Sequence, residues 1–319
     1  MKRLLSLCMA FLCIVSVTAC SPLKHQIAVT AYPIQFIAQR IAKNRVDVKL
    51  LSSGHTIQVA NIKSNYADIV SASDAVFYIN DLEPYYEIYN EDIRETGIKM
   101  VDLSTKSSYY AFKRYDISGS FENSSIESSS YYSGDVFNDV NIYNNDPNVW
   151  MDATALIGIS ENVKDYLVDL YPDDETYFNK NYEKLKQDLA KLDSEYQLLR
   201  KNYSSIRFAS LTASYGDWQR AYGVGVYPVC LSKFGAIPNS MQLDIIEQRI
   251  KNDGVKYIAN EVNLNNDMKE LYQRLITDLG LIPVDINNAS LLNSDQKAEG
   301  LNYLDIMYNN LSSLESIGE

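Results

Sequence analysis

The chain of 319 residues holds only two histidines, His25 and His55, and four cysteines. So few imidazoles exclude metal centres and acid–base sites that rely on several histidines. No Ser/His/Asp set can be assembled when one of the two histidines stands next to the amino-terminal leader, and no glycine-rich phosphate loop is present. An enzyme is therefore not expected. Asp146 and Asp152, six apart around a tryptophan, could be imagined as an acid–base pair, but they read more simply as capping and framing residues. No apolar run reaches the roughly 20 residues that span a bilayer. Positive charge is also short, 29 Lys and Arg against 41 Asp and Glu, for a net charge of −12. A surface of that sign repels phosphate backbones and anionic headgroups, so nucleic acid is not an expected partner.

What is present begins with an export signal. Lys2 and Arg3 precede an apolar stretch from Leu4 to Val17, and Val17-Thr18-Ala19-Cys20 closes it with small residues. This predicts a lipoprotein signal peptide over residues 1–19 with Cys20 as the lipidation site. Residues 20–26 follow as a lipidated tether, anchoring a soluble body at the outer face of a bacterial cytoplasmic membrane. Cleavage removes Cys8, Cys13 and the charges of Lys2 and Arg3, which takes the net charge from −12 to −14. With Cys20 acylated, Cys230 is stranded and no intrachain disulfide can form. Cys230 follows Tyr227-Pro228-Val229 and reads as a small buried hydrophobe.

Beyond the tether the pattern alternates. Ile27 to Thr30 reads as a strand, and Ile34, Ile37, Ala38 and Ile41 form the stripe of an amphipathic helix. Val46 to Leu51 reads as a strand ended by Ser52-Ser53-Gly54, Asn61 to Ser73 as a helix and Ala75 to Ile79 as a strand. Strand alternating with helix predicts an α/β fold with mainly parallel sheets. Residues 104–135 are dense in Ser, Tyr, Asn and Gly, and read as an exposed insertion. From Phe178 to Tyr203 apolar residues recur at steps of four and three, which predicts one long helix serving as a rigid connector. Further strands are expected over Ile206 to Leu211, Val255 to Ala259 and Leu281 to Ile286. Helices are expected over Asp217 to Tyr222, Leu243 to Asn252, Met268 to Leu279 and Tyr303 to Ile317. The resulting division is an amino-terminal α/β lobe over 27–150, a helical linker over 151–204 and a carboxy-terminal α/β lobe over 205–319.

Several local motifs carry a resemblance. Val29-Thr30-Ala31-Tyr32-Pro33-Ile34, Leu82-Glu83-Pro84, Asp146-Pro147-Asn148-Val149-Trp150-Met151-Asp152, Tyr222-Gly223, Val255 to Glu261 and Tyr303 to Asn310 run through nearly the whole mature chain. Together they resemble the zinc and manganese substrate-binding proteins of ABC importers. The resemblance implies two α/β lobes joined by one long rigid helix, a ligand held between them, Zn²⁺ or Mn²⁺ as the transported ligand and a membrane ABC permease as partner. A monomer is expected.

Carried over motif by motif, the family's ligand positions fall on Gln58, Asn148, Thr212 and Asn287, with Asn288 as the neighbouring choice for the last. None is an imidazole or a carboxylate. Zn²⁺ favours imidazole, thiolate or carboxylate. Amides and hydroxyls suit hydrogen bonding better, and a Ca²⁺ site would still want carboxylates. The metal alternative that remains is a shifted loop that swings His55 into the cleft, with Glu261 or Asp285 supplying a carboxylate. Two functional readings follow: a solute-binding lipoprotein of a metal-type importer with its metal site altered or lost, and a surface interaction or adhesin-like protein that keeps the receptor scaffold.

Overall fold

The computed structural model describes residues 25–54, 56–80, 82–106, 134–143, 146–203 and 205–318. The expected signal peptide, Cys20, His55 and most of the expected Ser/Tyr-rich insertion lie outside them. No helix among the described residues is long and apolar enough to cross a membrane.

Two four-stranded parallel sheets form the framework. The first uses β1 (His25–Val29), β2 (Val46–Leu50), β5 (Ala75–Tyr78) and β6 (Lys99–Asp102) in the order β2-β1-β5-β6. The second uses β7 (Arg207–Thr212), β8 (Gly225–Cys230), β9 (Tyr257–Ala259) and β10 (Ile282–Val284) in the order β10-β9-β7-β8. Numbered within each lobe, both orders are 2-1-3-4, so one topology is used twice. The central strand β5 is an unbroken buried apolar run, Ala75 to Tyr78, as both faces of a parallel sheet are covered. The edge strand β10 tolerates Pro283, which has no N–H to donate.

The helices follow local signals. The first helix, α1 (Tyr32–Ala42), starts with Pro33, whose fixed φ suits the first turn, and buries Ile34, Ile37, Ala38 and Ile41. Its stripe faces α5 (Glu175–Asn202), 28 residues or roughly 42 Å long. Phe178, Tyr182, Leu185, Leu189, Leu192, Tyr196 and Leu199 of α5 are all buried in a core shared with Ile27 and Phe77 of one lobe and Phe208 and Val226 of the other. The connector is thus part of both cores. It pairs with α4 (Ala153–Leu170), whose N-cap Asp152 accepts from Thr154 N and Ala155 N. The closing helix α6 (Tyr303–Gly318) packs on α5, and Tyr196 donates its hydroxyl to Met307 O at 2.8 Å.

Some expectations are corrected. His25 and Gln26, assigned to the tether, already pair with Val46 and Asp47 as the start of β1. Asn61 to Ser73 is not one helix. Ser52–Ser53 (β3) and Asn61–Ile62 (β4) pair antiparallel, and only Tyr66–Ser71 (α2) is helical. The helix α3 (Pro84–Glu95) and strand β6 were not anticipated. Buried tyrosines at 85 and 86 and an exposed Ile88 blur the apolar period of α3.

Candidate functional site between the lobes

In open parallel sheets the loops leaving the first and third strands diverge, and the crevice between them is the usual ligand position. In the carboxy-terminal lobe those loops carry Thr212, Ser214 and Glu261; in the amino-terminal lobe they carry Thr30 and Glu83.

Glu261 anchors the first set. Its Oε1 accepts from Leu211 N at 2.6 Å and Thr212 N at 3.0 Å. Its Oε2 accepts from the Thr212 hydroxyl and, at 3.4 Å, from Asn288 Nδ2. Among the described residues it has no ion-pair partner, and burial pushes its carboxyl up to about 7 against those donors. Burial first, and the nearby Glu261 charge second, lift the Cys230 thiol to about 12, which leaves it unreactive.

A hydrogen-bonded chain runs outward from this carboxylate. Thr212 Oγ1 and Ser214 Oγ are 2.9 Å apart, and Gln58 Nε2 reaches Ser214 Oγ at 3.4 Å from the other lobe. Gln58 sits on a single 3-10 turn, Ile57–Val59, pressed against the carboxy-terminal lobe. Thr56 N donates to Asn263 O across the gap at 3.0 Å. Gly235, at φ +67°, approaches so closely that a Cβ there would lie 2.5 Å from Val59 Cγ1. Lys233 Nζ adds an ion pair with Glu87 Oε1 of α3 at 2.8 Å. The lobes therefore meet around Gln58.

Asn148 enters from the segment before α4. Its side chain donates to Asp146 Oδ1 at 2.9 Å, and its own main-chain N–H donates to the same oxygen at 3.0 Å. The following Trp150 donates Nε1 to Asn288 O at 2.8 Å, which ties this segment to the loop after β10. Arg220 pairs with Asp152 at 2.7 Å, so both aspartates frame the segment as expected from their spacing. In the loop after β10, Asn287 Oδ1 accepts from Ala289 N, and Asn288 Oδ1 accepts from Ser290 N and Oγ. These bonds hold Ala289 at φ 53°, a left-handed conformation that a non-glycine residue seldom adopts.

A family described as the periplasmic zinc-uptake complex component A matches residues 27–317. The chain belongs to this family. Similar relatives include the high-affinity zinc uptake system protein ZnuA of Bacillus subtilis strain 168, 22% identical over 92% of this chain and 87% of its own. Another is the zinc-binding lipoprotein AdcA of Streptococcus pneumoniae strain R6, 25% identical over 99% of this chain; the chain spans 61% of AdcA's length. Among solved structures, the laminin-binding protein Lmb of Streptococcus agalactiae superposes with a TM-score of 0.72 at 17% identity, covering 92% of this chain and all of Lmb. The Lmb structure is described as a bifunctional protein with adhesin and metal-transporting activity.

The family positions divide by what their acceptors do. Thr212 spends its hydroxyl on Glu261, and Asn287 spends its carbonyl on the turn, with Nδ2 left buried and unpartnered. Gln58 Oε1 and Asn148 Oδ1 are buried and have no partner. Asp285, expected as a possible carboxylate ligand, has an exposed side chain that accepts from Asn260 at 2.9 Å. Among the described residues no three of His, Cys, Asp and Glu come together as a metal cage. Ser214, which links Gln58 to Thr212, was not anticipated. The signal was the Thr-Ala pair that ends the first strand of each lobe, Thr30-Ala31 and Thr212-Ala213.

Proposed function

We propose that this chain is the solute-binding lipoprotein of a metal-type ABC importer, tethered through Cys20 at the outer face of the membrane, with an inter-lobe site that is no longer a transition-metal cage. It would work as a monomer that delivers its ligand to a membrane permease. The observation that carries this reading is the chain Gln58–Ser214–Thr212–Glu261, which joins both lobes at the crevice with amide and hydroxyl groups. Family membership supports capture and delivery. The donor set speaks against dehydrating Zn²⁺ or Mn²⁺, because neutral oxygens return too little of the ion's hydration energy. Glu261 is the one carboxylate in the chain, and both its oxygens are already engaged. Calorimetry with Zn²⁺ and Mn²⁺ on protein purified without chelators is expected to show no binding tighter than roughly micromolar, the weak end of specific capture. Tight binding that disappears in His55→Ala would restore a metal site built on that histidine.

A second reading, a surface interaction protein on the same scaffold, is favoured by one patch. Exposed Phe234, Ile237, Met241 and Ile245 lie at or beside a cavity of about 310 Å³ floored by Val229 and Leu231. Apolar side chains grouped in this way mark contact surfaces more often than scattered ones do. Replacing Phe234 and Met241 by Ser separates the readings: lost cell or partner binding with uptake unchanged supports the interaction protein.

A further inference from the structure

The direction of the hydrogen bonds decides what the cleft offers. Two main-chain N–H groups donate to Glu261 Oε1, and the Asn288 amide, oriented by Ser290 N, donates to Oε2. The carboxylate is thus surrounded as an acceptor, and the single hydrogen of the Thr212 hydroxyl goes to Oε2. Ser214 must then donate its own hydrogen to Thr212 Oγ1 across their 2.9 Å separation. With that hydrogen used, Ser214 Oγ is an acceptor toward Gln58, which fixes the amide with Nε2 inward at 3.4 Å. Gln58 Oε1 is left over as a buried oxygen with no donor.

Asn148 reaches the same outcome independently. Asp146 Oδ1 takes both the main-chain and side-chain N–H of Asn148, so a flipped amide would set oxygen against oxygen. Asn148 Oδ1 is therefore a fixed acceptor, buried and unpartnered. A buried acceptor without a donor keeps the full cost of its lost hydration, which a ligand bringing donors recovers. Behind Gln58 stands the Glu261 carboxylate, buried, supplied with hydrogen bonds but with no counter-cation among the described residues.

Resting on the receptor reading above, we infer that the cleft takes a small cation that carries its own hydrogen-bond donors, an ammonium or amidinium group, in place of a transition-metal ion. Gln58 Oε1 and Asn148 Oδ1 are its direct acceptors, and Glu261 supplies the field through Thr212 and Ser214. A Ca²⁺ ion would need six to eight oxygens, and Mg²⁺ a near-ideal octahedron. An N–H cation needs only a few acceptors and gives up less hydration. A neutral solute would leave the Glu261 charge uncompensated.

The test is thermal-shift and calorimetric titration of the full mature protein with methylammonium and guanidinium, with urea as the neutral control, acetate as the anionic control and Zn²⁺ as the metal control. Methylammonium or guanidinium is expected to stabilise and bind the protein at least tenfold more tightly than urea or acetate. Asn148→Leu should weaken that binding tenfold or more. Gln58→Glu, which keeps the side-chain shape, should tighten it, so the inference is still tested if Asn148→Leu fails to fold. Equal binding of urea and guanidinium, or cation binding indifferent to both substitutions, overturns the inference. Tight Zn²⁺ binding without response to either organic cation overturns it too while leaving the receptor reading standing. Loss of the receptor reading looks different: none of the five probes binds, and deletion of the gene leaves solute uptake unchanged.

Discussion

The two lobes place a threonine and a glutamate at matching points of the same topology, and they treat the pair differently. After β7 and β9, Thr212 donates to Glu261, and two backbone N–H groups complete the carboxylate. After β1 and β5, Thr30 lies beside Glu83, but no donor reaches either Glu83 carboxylate oxygen at full hydrogen-bond geometry, and only the Thr30 hydroxyl and the Glu83 main-chain N–H offset its burial. Tyr85 donates instead to the Thr30 carbonyl at 2.7 Å. Burial pushes the Glu83 carboxyl up to about 8, further than Glu261 at about 7, because fewer donors offset the lost hydration. Position in the topology brings the pair together, and only the local donors decide whether the acid is held charged.

The sharpest way to break the comparison is to delete each acid. Glu261→Leu leaves the Leu211 and Thr212 N–H groups and the Thr212 hydroxyl without an acceptor, an expected loss of roughly 3–5 kcal/mol in urea unfolding. Glu83→Gln should do the opposite. Folding lifts the Glu83 pKa from its ordinary 4.5 to about 8, so the fold favours the protonated acid; its contribution is fully present below pH 4.5 and lost as the pH rises through 8. The Gln variant should therefore match the parent at pH 4 and exceed it by up to about 5 kcal/mol at pH 9. Unfolding midpoints across that range check the sign, and a parent that gains stability with pH relative to the variant would contradict it.

The threonines sharpen the same contrast. Thr212→Val removes a hydrogen bond to a charged group and is expected to cost about 1.5–2 kcal/mol. Thr30→Val removes a hydroxyl whose only approach is a poorly aligned one to Glu83 and is expected to cost about 1 kcal/mol by the same denaturation measurement. The smallest effect concerns the contact between lobes. The Lys233–Glu87 pair is partly exposed, so Lys233→Ala should cost less than about 1 kcal/mol, with the loss fading at high salt.

Much of the fold was legible because its signals are local. The α5 stripe repeats at helical spacing over seven buried residues, and Gly223 and Gly280 stop their helices in the left-handed region as their positions predict. The Leu-Glu-Pro step, by contrast, announced neither the helix it opens nor that its glutamate would be fully buried with few donors. Motif resemblance could nominate Gln58, Asn148, Thr212 and Asn287 as expected ligand positions, but not what these side chains bond to. Whether the Asn287 carbonyl faces a ligand or builds a turn depends on Ala289 N, and whether Thr212 is free depends on a carboxylate 49 residues away.

By itself the sequence determined the alternation of strand and helix, the long apolar stripe that joins two cores and the scarcity of imidazole, since each is written in neighbouring residues or simple counts. The tertiary structure alone decided which polar groups meet: Ser214 with Gln58 across the lobes, Thr212 with Glu261, and Glu83 with fewer donors than Glu261. The physical reason is that a hydrogen bond is made or lost over a few tenths of an ångström between groups far apart in the chain, a precision that periodicity and composition do not carry.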